Sequence, residues 1–280
     1  MAHKIALFFL LILVLACFLG PLLAEAGEYE IFYDDEGQRI LSLQGISAKH
    51  PLGTDKNGRD VFVRLLYGGR LSLLLATATM MLQTFIGITG GLLAGYAGRK
   101  TDMIIMRIVD VFNALPDIVV ILILSALFMA YGAGGRARVV MLVLFLAAFG
   151  WTFTAKIVRS QVLSLRESSF MMAAELCGIP LYRRLFVYLL PNVLGKVFVA
   201  VPISIGNIIL TEATLSFLGF GLPYPYASWG NMLNEAMNRD ILANHINVWL
   251  PPGLLIVFSV MAFHLVGQGL KERRRPNALQ

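Results

Sequence analysis

Residues 71–97 read LSLLLATATMMLQTFIGITGGLLAGYA, an apolar stretch without one charged side chain. About 20 such residues suffice to cross the hydrocarbon core of a bilayer as a helix. Working outward, further apolar stretches fall at 5–24, 117–131, 139–155, 197–218 and 252–270. The 117–131 stretch is short, and its helix is expected to begin near Ile108 and bend at Pro116. Six spans place both termini on one side of the membrane. The composition agrees: of 280 residues, 58% are hydrophobic and 14% charged, with a mean hydropathy of +0.74. Soluble domains carry roughly 45–50% apolar and about 25% charged residues, so a water-covered globule is excluded. A disordered chain, poor in apolar residues and rich in charge, is excluded by the same figures.

The charges sort by side. Segments 1–4, 98–116, 156–196 and 271–280 hold 14 basic and 5 acidic residues, a net of +9. Segments 25–70, 132–138 and 219–251 hold 9 basic and 10 acidic residues, a net of −1. Lys and Arg mark the cytoplasmic side, so both termini are expected in the cytoplasm. The overall +6 is a topology signal of a lipid-embedded chain and not a nucleic-acid footprint. The basic run Lys271 to Arg275 reads as an anchor at the inner face, and the acidic residues of 25–49 (Glu25, Glu28, Glu30, Asp34, Asp35, Glu36) as a solvated outer loop.

The first span has two readings. Lys4 followed by Ile5–Leu19 resembles a secretory signal, and Val14-Leu15-Ala16-Cys17 faintly resembles a lipoprotein cleavage site. Apolar residues continue through Leu22 and Leu23, which favours a retained helix. Two cysteines, Cys17 and Cys177, imply no disulfide framework. No Cys/His ligand spacing and no nucleophile–base constellation appears, so neither a metal site nor a catalytic site is expected. Gly95 to Thr101 superficially matches a phosphate loop, but Arg99 stands where Gly must precede Lys.

The segment 156–196 is the largest on the basic side. Ser168 or Ser169 can cap a short helix, Phe170–Cys177, which Gly178 ends and Pro180 prevents from resuming. A second amphipathic stretch around Arg183 and Arg184 leads to Pro191, where the fifth span is expected to open. Small residues Ala173 and Ala174 would let a partner approach closely; an ordinary interfacial helix fits the spacing equally well. On the other side, Asp60 and Arg64 are spaced for an i, i+4 pair on an interfacial helix at the entrance to the second span. Gly87, Gly91 and Gly95 form a small-residue stripe suited to close helix packing, within the bundle or at a subunit interface. Glu212 is the notable ionisable group within a span; pathway lining and structural pairing both remain open, and Asn207 is expected to share its face. Pro223 to Tyr226 and Trp229 suit an outer interfacial loop.

Three motifs carry a resemblance. Ala173-Ala174-x-x-x-Gly178, nine residues, then Tyr188-Leu189-Leu190-Pro191 resembles the cytoplasmic loop signature of ATP-binding-cassette importer permeases, with Met172 at the family's Glu position and Tyr188 at its Ile position. His50 to Val61, containing Gly53, Thr54, Asp55, Gly58, Arg59 and Asp60, resembles the N-terminal signature of the peptide/nickel subfamily, C-type subunit. Glu212 to Gly221 followed by Ser228 to Leu233 is similar to its other signature.

The resemblance implies an all-α, six-helix, type I importer permease fold that spans a prokaryotic cytoplasmic (inner) membrane. Residues 1–70 would supply the first helix, an extracytoplasmic segment and an interfacial helix. Residues 71–270 would be a five-helix core with a coupling loop at 156–192, and 271–280 a cytoplasmic tail. Ala173, Ala174, Glu175, Gly178, Leu190 and Pro191 would form the loop that docks on an ATPase. The chain would bind no cofactor, since ATP is hydrolysed by partners. Those partners would be a second permease, two ATPase subunits and an extracytoplasmic solute-binding protein. The implied cargo is a di- or oligopeptide, with nickel or a metal chelate as the alternative. A rival of another class is a proton-coupled secondary transporter with Glu212 as proton carrier.

Overall fold

The computed structural model describes residues 2–24, 26–34, 37 and 39–273. Among them the chain is helical, and its extended pairings are two isolated bridges, Tyr33 with Ile40 and Thr54 with Asp60. Five helices are long and apolar enough to cross a membrane: α1 (Ala2–Leu23), α2 (Val61–Tyr96), α5 (Gly135–Arg166), the continuous run Leu181–Phe217, and α11 (Ile246–Arg273). A bent pair, α3 (Arg99–Ala114) and α4 (Asp117–Ala130), makes the sixth when taken as one crossing. Of the inner-face anchor, Lys271 and Glu272 end α11, while Arg274, Arg275 and the rest of the tail lie outside the described residues, as do Glu25, Asp35 and Glu36.

The break in the third span falls at Pro116, as expected, and bends the pair by 78°. Leu115, the residue before it, is extended at φ −85°, ψ 135°, the conformation that a following proline ring imposes. The helix before the break begins at Arg99, earlier than the expected Ile108. Its Asp102 pairs with Arg159 of α5 through two hydrogen bonds, Nε to Oδ1 and Nη2 to Oδ2, the latter 2.6 Å.

Two expected boundaries move. Val61 to Arg70 form the first turns of α2 and not a separate interfacial helix. At 36 residues and 1.5 Å per residue, α2 is about 54 Å long, well beyond a hydrocarbon core of about 30 Å. The fifth span also begins earlier than expected. α7 (Leu181–Arg183), a π-turn (Arg184–Leu189) and α8 (Leu190–Phe217) run on without interruption, so Pro191 sits within the run. Because Pro191 lies where the π-turn has already displaced the regular i→i−4 ladder, its missing N–H breaks nothing further.

The packing of α2 on α5 is set by the glycine stripe. A Cβ at Gly87 would lie 2.5 Å from Thr154 Cβ, one at Gly91 2.6 Å from Val158 Cβ and 2.7 Å from the Ala155 carbonyl oxygen, and one at Gly95 2.7 Å from Val162 Cβ. The stripe therefore serves packing within this chain, which decides between the two readings left open by the sequence. Gln83, on the same helix, packs directly against Gly150 of α5. α1 lies outside this pair, against α2 and α11, with Phe9 edge-on to Phe258 at 6.4 Å between ring centroids.

Replacing Gly91 with Leu should displace α5 at its backbone, because the Ala155 carbonyl cannot rotate away. The expected loss of stability is about 1–3 kcal/mol or more, read as a lower thermal midpoint of the purified protein in detergent. Gly27→Ala, where a Cβ meets nothing within 4 Å, should leave the midpoint unchanged.

Candidate functional site

The two ends of α2 carry two of the three sequence motifs. At its N-terminal end, the 50–60 motif folds into a cap. Gly53 and Gly58 take φ of +76° and +74°, where side chains are strained. Thr54 Oγ1 donates to the Leu41 carbonyl and accepts from the Gln44 N–H at 2.9 Å. Asp55 closes the turn by accepting from the backbone N–H of Asn57 at 2.8 Å and of Arg59 at 3.0 Å. Its second oxygen accepts from Arg59 Nε at 2.8 Å and stands 2.7 Å from Arg59 Nη2. Asp60 is the N-cap of α2, accepting from the Val63 N–H at 2.9 Å. All six motif residues named from the sequence come together here. Asn247, at the start of α11, donates to the Leu52 carbonyl at 2.8 Å and ties the turn to the bundle.

The expected Asp60–Arg64 pair is not the one formed. Asp60 spends one oxygen on capping and the other on His50 Nδ1 at 2.8 Å, while Arg64 turns to Asp55 at 3.4 Å. A cap requires the carboxylate to fold back over the first turn, away from position i+4. His50 opens the motif, but its pairing with Asp60 was not expected, because nothing local marks a histidine ten residues away as the partner.

Glu212, in α8, is buried at 1% exposure. It accepts from Ser216 Oγ at 2.7 Å, Ser228 Oγ at 3.0 Å and Ser72 Oγ at 3.4 Å. The side chain thus joins α2, α8 and the N-cap of α9 (Trp229–Leu233), whose capping box Ser228 and Asn231 complete. Asn207 does not share its face. Five residues apart on a helix leave the two about 140° apart, and Asn207 instead lines a separate cavity of about 170 Å³ with Gln83, Asp117, Ser204 and Thr211. Gln83, Asp117, Ser204 and Thr211 were not expected there from the sequence; they are polar residues at span positions, a signal that was available.

The aromatic segment also divides. Tyr224 is exposed, but Trp229 is fully buried, its Nε1–H donating to the Leu65 carbonyl at 3.1 Å. Gly69 makes room for its ring, with a Cβ there falling 2.7 Å from Trp229 Cζ2. It is a structural anchor and not an interfacial residue.

At the other end of α2 lies the 166–191 loop. α6 (Ser169–Leu176) lies over a cluster of Val158, Val162, Met171, Leu189, Val193 and Val197. Ser168 occupies the N-cap, yet its hydroxyl points backward and donates to the Leu165 carbonyl at 2.5 Å, so the expected side-chain cap does not form. Gly178 ends the helix at φ +71° in a Schellman arrangement: the Ile179 N–H reaches the Ala174 carbonyl and the Gly178 N–H the Glu175 carbonyl, both at 3.0 Å. Ala173 is exposed, whereas Ala174 is buried with Met171 against the cluster. Only one of the two alanines can therefore face a partner. Glu175 pairs with Arg184 Nη1 at 2.9 Å, and the Arg184 guanidinium sits 6.0 Å over the Tyr96 ring. Arg166 Nη1 reaches the Gly95 carbonyl at 3.4 Å, which pins the loop to the end of α2. Leu190 is half-buried and Pro191 exposed. Phe170, Met172, Leu176, Leu181 and Tyr182 are left as an apolar exposed surface.

The family described as binding-protein-dependent transport system inner membrane component matches residues 87–276. A Brucella suis protein named as a peptide permease is 38% identical over 93% of this chain and 85% of its own length. The dipeptide transport system permease protein DppC of Bacillus subtilis is 34% identical over 96% of this chain and 80% of its own. Among solved structures, the MetNI methionine transporter in inward-facing conformations superposes with a TM-score of 0.57 at 18% identity, covering 75% of this chain and 96% of that one.

Asp55→Asn should be the most damaging single change at the motif end. It leaves two buried guanidiniums without their shared carboxylate, a loss of about 3–5 kcal/mol by analogy with other broken buried pairs. Asp60→Asn keeps a good N-cap and should cost no more than about 1 kcal/mol. Thermal midpoints of the two purified variants check the order.

Proposed function

The chain belongs to the family of inner membrane components of binding-protein-dependent transport systems, and from that membership we propose that it is one of two permease subunits of an ATP-driven importer of short peptides. It is a multi-pass inner-membrane protein, and its family works with ATPase and substrate-binding partners. A second and related permease completes the pathway, two ATPase subunits dock on the 166–191 loop, and a solute-binding protein delivers cargo to the opposite face. Both termini are cytoplasmic, following the +9 against −1 division of charge. Peptides as cargo are supported by the printed names of the two relatives above. The chain itself is not an enzyme in this scheme.

The observation that carries the coupling role is the build of α6. It is a short helix outside the apolar spans, held from below by Met171 and Ala174 and from the side by the Glu175–Arg184 pair, with an apolar face left uncovered. A rigidly seated helix moves its neighbours when pushed; a loosely attached one absorbs the push. Here the loop is fastened to α2 through Gly95 and Tyr96 and continues directly into α8 through the π-turn. Closure of the ATPases would displace α6 and with it α2 and α8, shifting the pathway between inward- and outward-facing states. Asn207, with Gln83, Asp117 and Thr211, supplies polar groups along that pathway. Glu212 holds α2, α8 and α9 together, a positioning role.

Gly178 separates coupling from folding. A Cβ there meets nothing within 4 Å, but the left-handed backbone costs an ordinary L-residue about 1–2 kcal/mol. Gly178→Val should leave the protein in the membrane at normal abundance and lose peptide-stimulated ATPase activity of the reconstituted complex. Gly178→Asn, which tolerates that conformation, should retain much of it. Unchanged activity in the valine variant contradicts the coupling role. Uptake of a labelled dipeptide that persists under an uncoupler while ATP is maintained is also expected; collapse under the uncoupler would point instead to proton coupling.

A further inference from the structure

At the motif end of the bundle a cavity of about 240 Å³ lies between the 56–64 turn and the segment from Ser216 to Glu235. Its charged lining is Lys56, Arg59, Arg64, Arg138 and Glu235. Arg59 and Arg64 are 2% and 4% exposed and share one carboxylate, Asp55. Asp55 is already engaged by Arg59 and by two backbone N–H groups, and Arg64 approaches it only to 3.4 Å. Arg59 Nη1 and Arg64 Nη1 have no hydrogen-bond partner among the described residues. Two buried guanidiniums against one carboxylate leave positive charge where unpaired burial is costly.

Glu235 offsets that charge only in part. Burial first, and then the nearby Asp55, push its carboxyl above the usual carboxylate range, against the pull of Lys56, Arg64 and Arg59. Its Oε2 also lacks a partner. The Tyr224 ring, 4.9 Å from the Arg59 guanidinium carbon, holds that group in place from the side of the cavity mouth. A planar fork of N–H donors matches a carboxylate in both charge and shape. The cavity is larger than a single water needs and has room for a carboxylate with its stem.

We propose that this cavity is a carboxylate-binding site, with Arg59 and Arg64 as the anion's principal partners. The carboxylate has two sources. One is the C-terminus of a peptide in transit, which rests on the importer reading above. The other is an acidic side chain of a docked solute-binding protein. The recognition chemistry is the same for both.

The test uses the purified full chain in detergent, with acetate as the probe and neutral acetamide as the control, at constant ionic strength. Acetate should raise the thermal midpoint saturably and acetamide should not. Half-saturation should weaken about tenfold in Arg64→Gln, the loss of one charge-assisted contact. Glu235→Gln keeps the volume, removes the competing carboxylate, and should bind acetate more tightly. No saturable rise in the wild type overturns the site, as does a half-saturation identical in wild type and Glu235→Gln, a variant that decides the matter even if Arg64→Gln fails to fold. Ala-Ala and its C-terminal amide then assign the source. A shift with Ala-Ala and none with its amide assigns the site to the peptide terminus; a shift with acetate but none with Ala-Ala assigns it to the partner's side chain. Failure of dipeptide uptake in vesicles would overturn the importer reading and leave the acetate result standing.

Discussion

The contact on which the rest of the structure depends is the backbone-close packing of α2 on α5 along Gly87, Gly91 and Gly95. In lipid, helices gain nothing from burying apolar surface against one another, so association rests on tight van der Waals fit and polar contacts. A glycine stripe permits that fit; with any larger residue, Thr154, Val158 and Val162 would have to retreat. α2 is therefore held as a rod about 54 Å long, and both functional ends are built on it. Asp60 caps its first turn within the motif fold, and Gly95 and Tyr96 at its last turn receive Arg166 and Arg184 from the loop. One element thus connects the loop to the far end of the bundle.

Buried polar groups supply the remaining specificity. Glu212 satisfies three hydroxyls from three segments, and Asp55 serves a turn and two guanidiniums at once. Each draws together parts of the chain that apolar packing alone would leave free to slide. The cost of leaving such groups unpaired is what makes the arrangement unique.

Much of this was legible in the sequence, and the reasons for the remainder are physical. Apolar length located the spans and Pro116 located the bend, because these are local properties. Gly178 was recognisable as a helix stop because the left-handed conformation selects glycine. Pairings over distance were not legible. The partner of Glu212 at Ser72 is 140 residues away, and the choice of His50 over Arg64 by Asp60 depends on capping geometry. The two alanines of the loop looked equivalent, and only the tilt of α6 on its cluster separates exposed Ala173 from buried Ala174. Trp229 looked like an interfacial aromatic because its burial depends on room made by Gly69, far away in sequence.

The 166–191 loop is proposed as the seat of an ATPase subunit. Cys177, exposed at the end of α6, offers a native probe, and Cys17 is buried and silent. A short thiol-to-amine cross-linker applied to inside-out membrane vesicles containing the assembled transporter should join Cys177 to an ATPase subunit, and Cys177→Ser should abolish the adduct. Labelling of Cys177 by a membrane-impermeant maleimide from the outer face of intact cells, with no adduct formed in inside-out vesicles, would contradict the account.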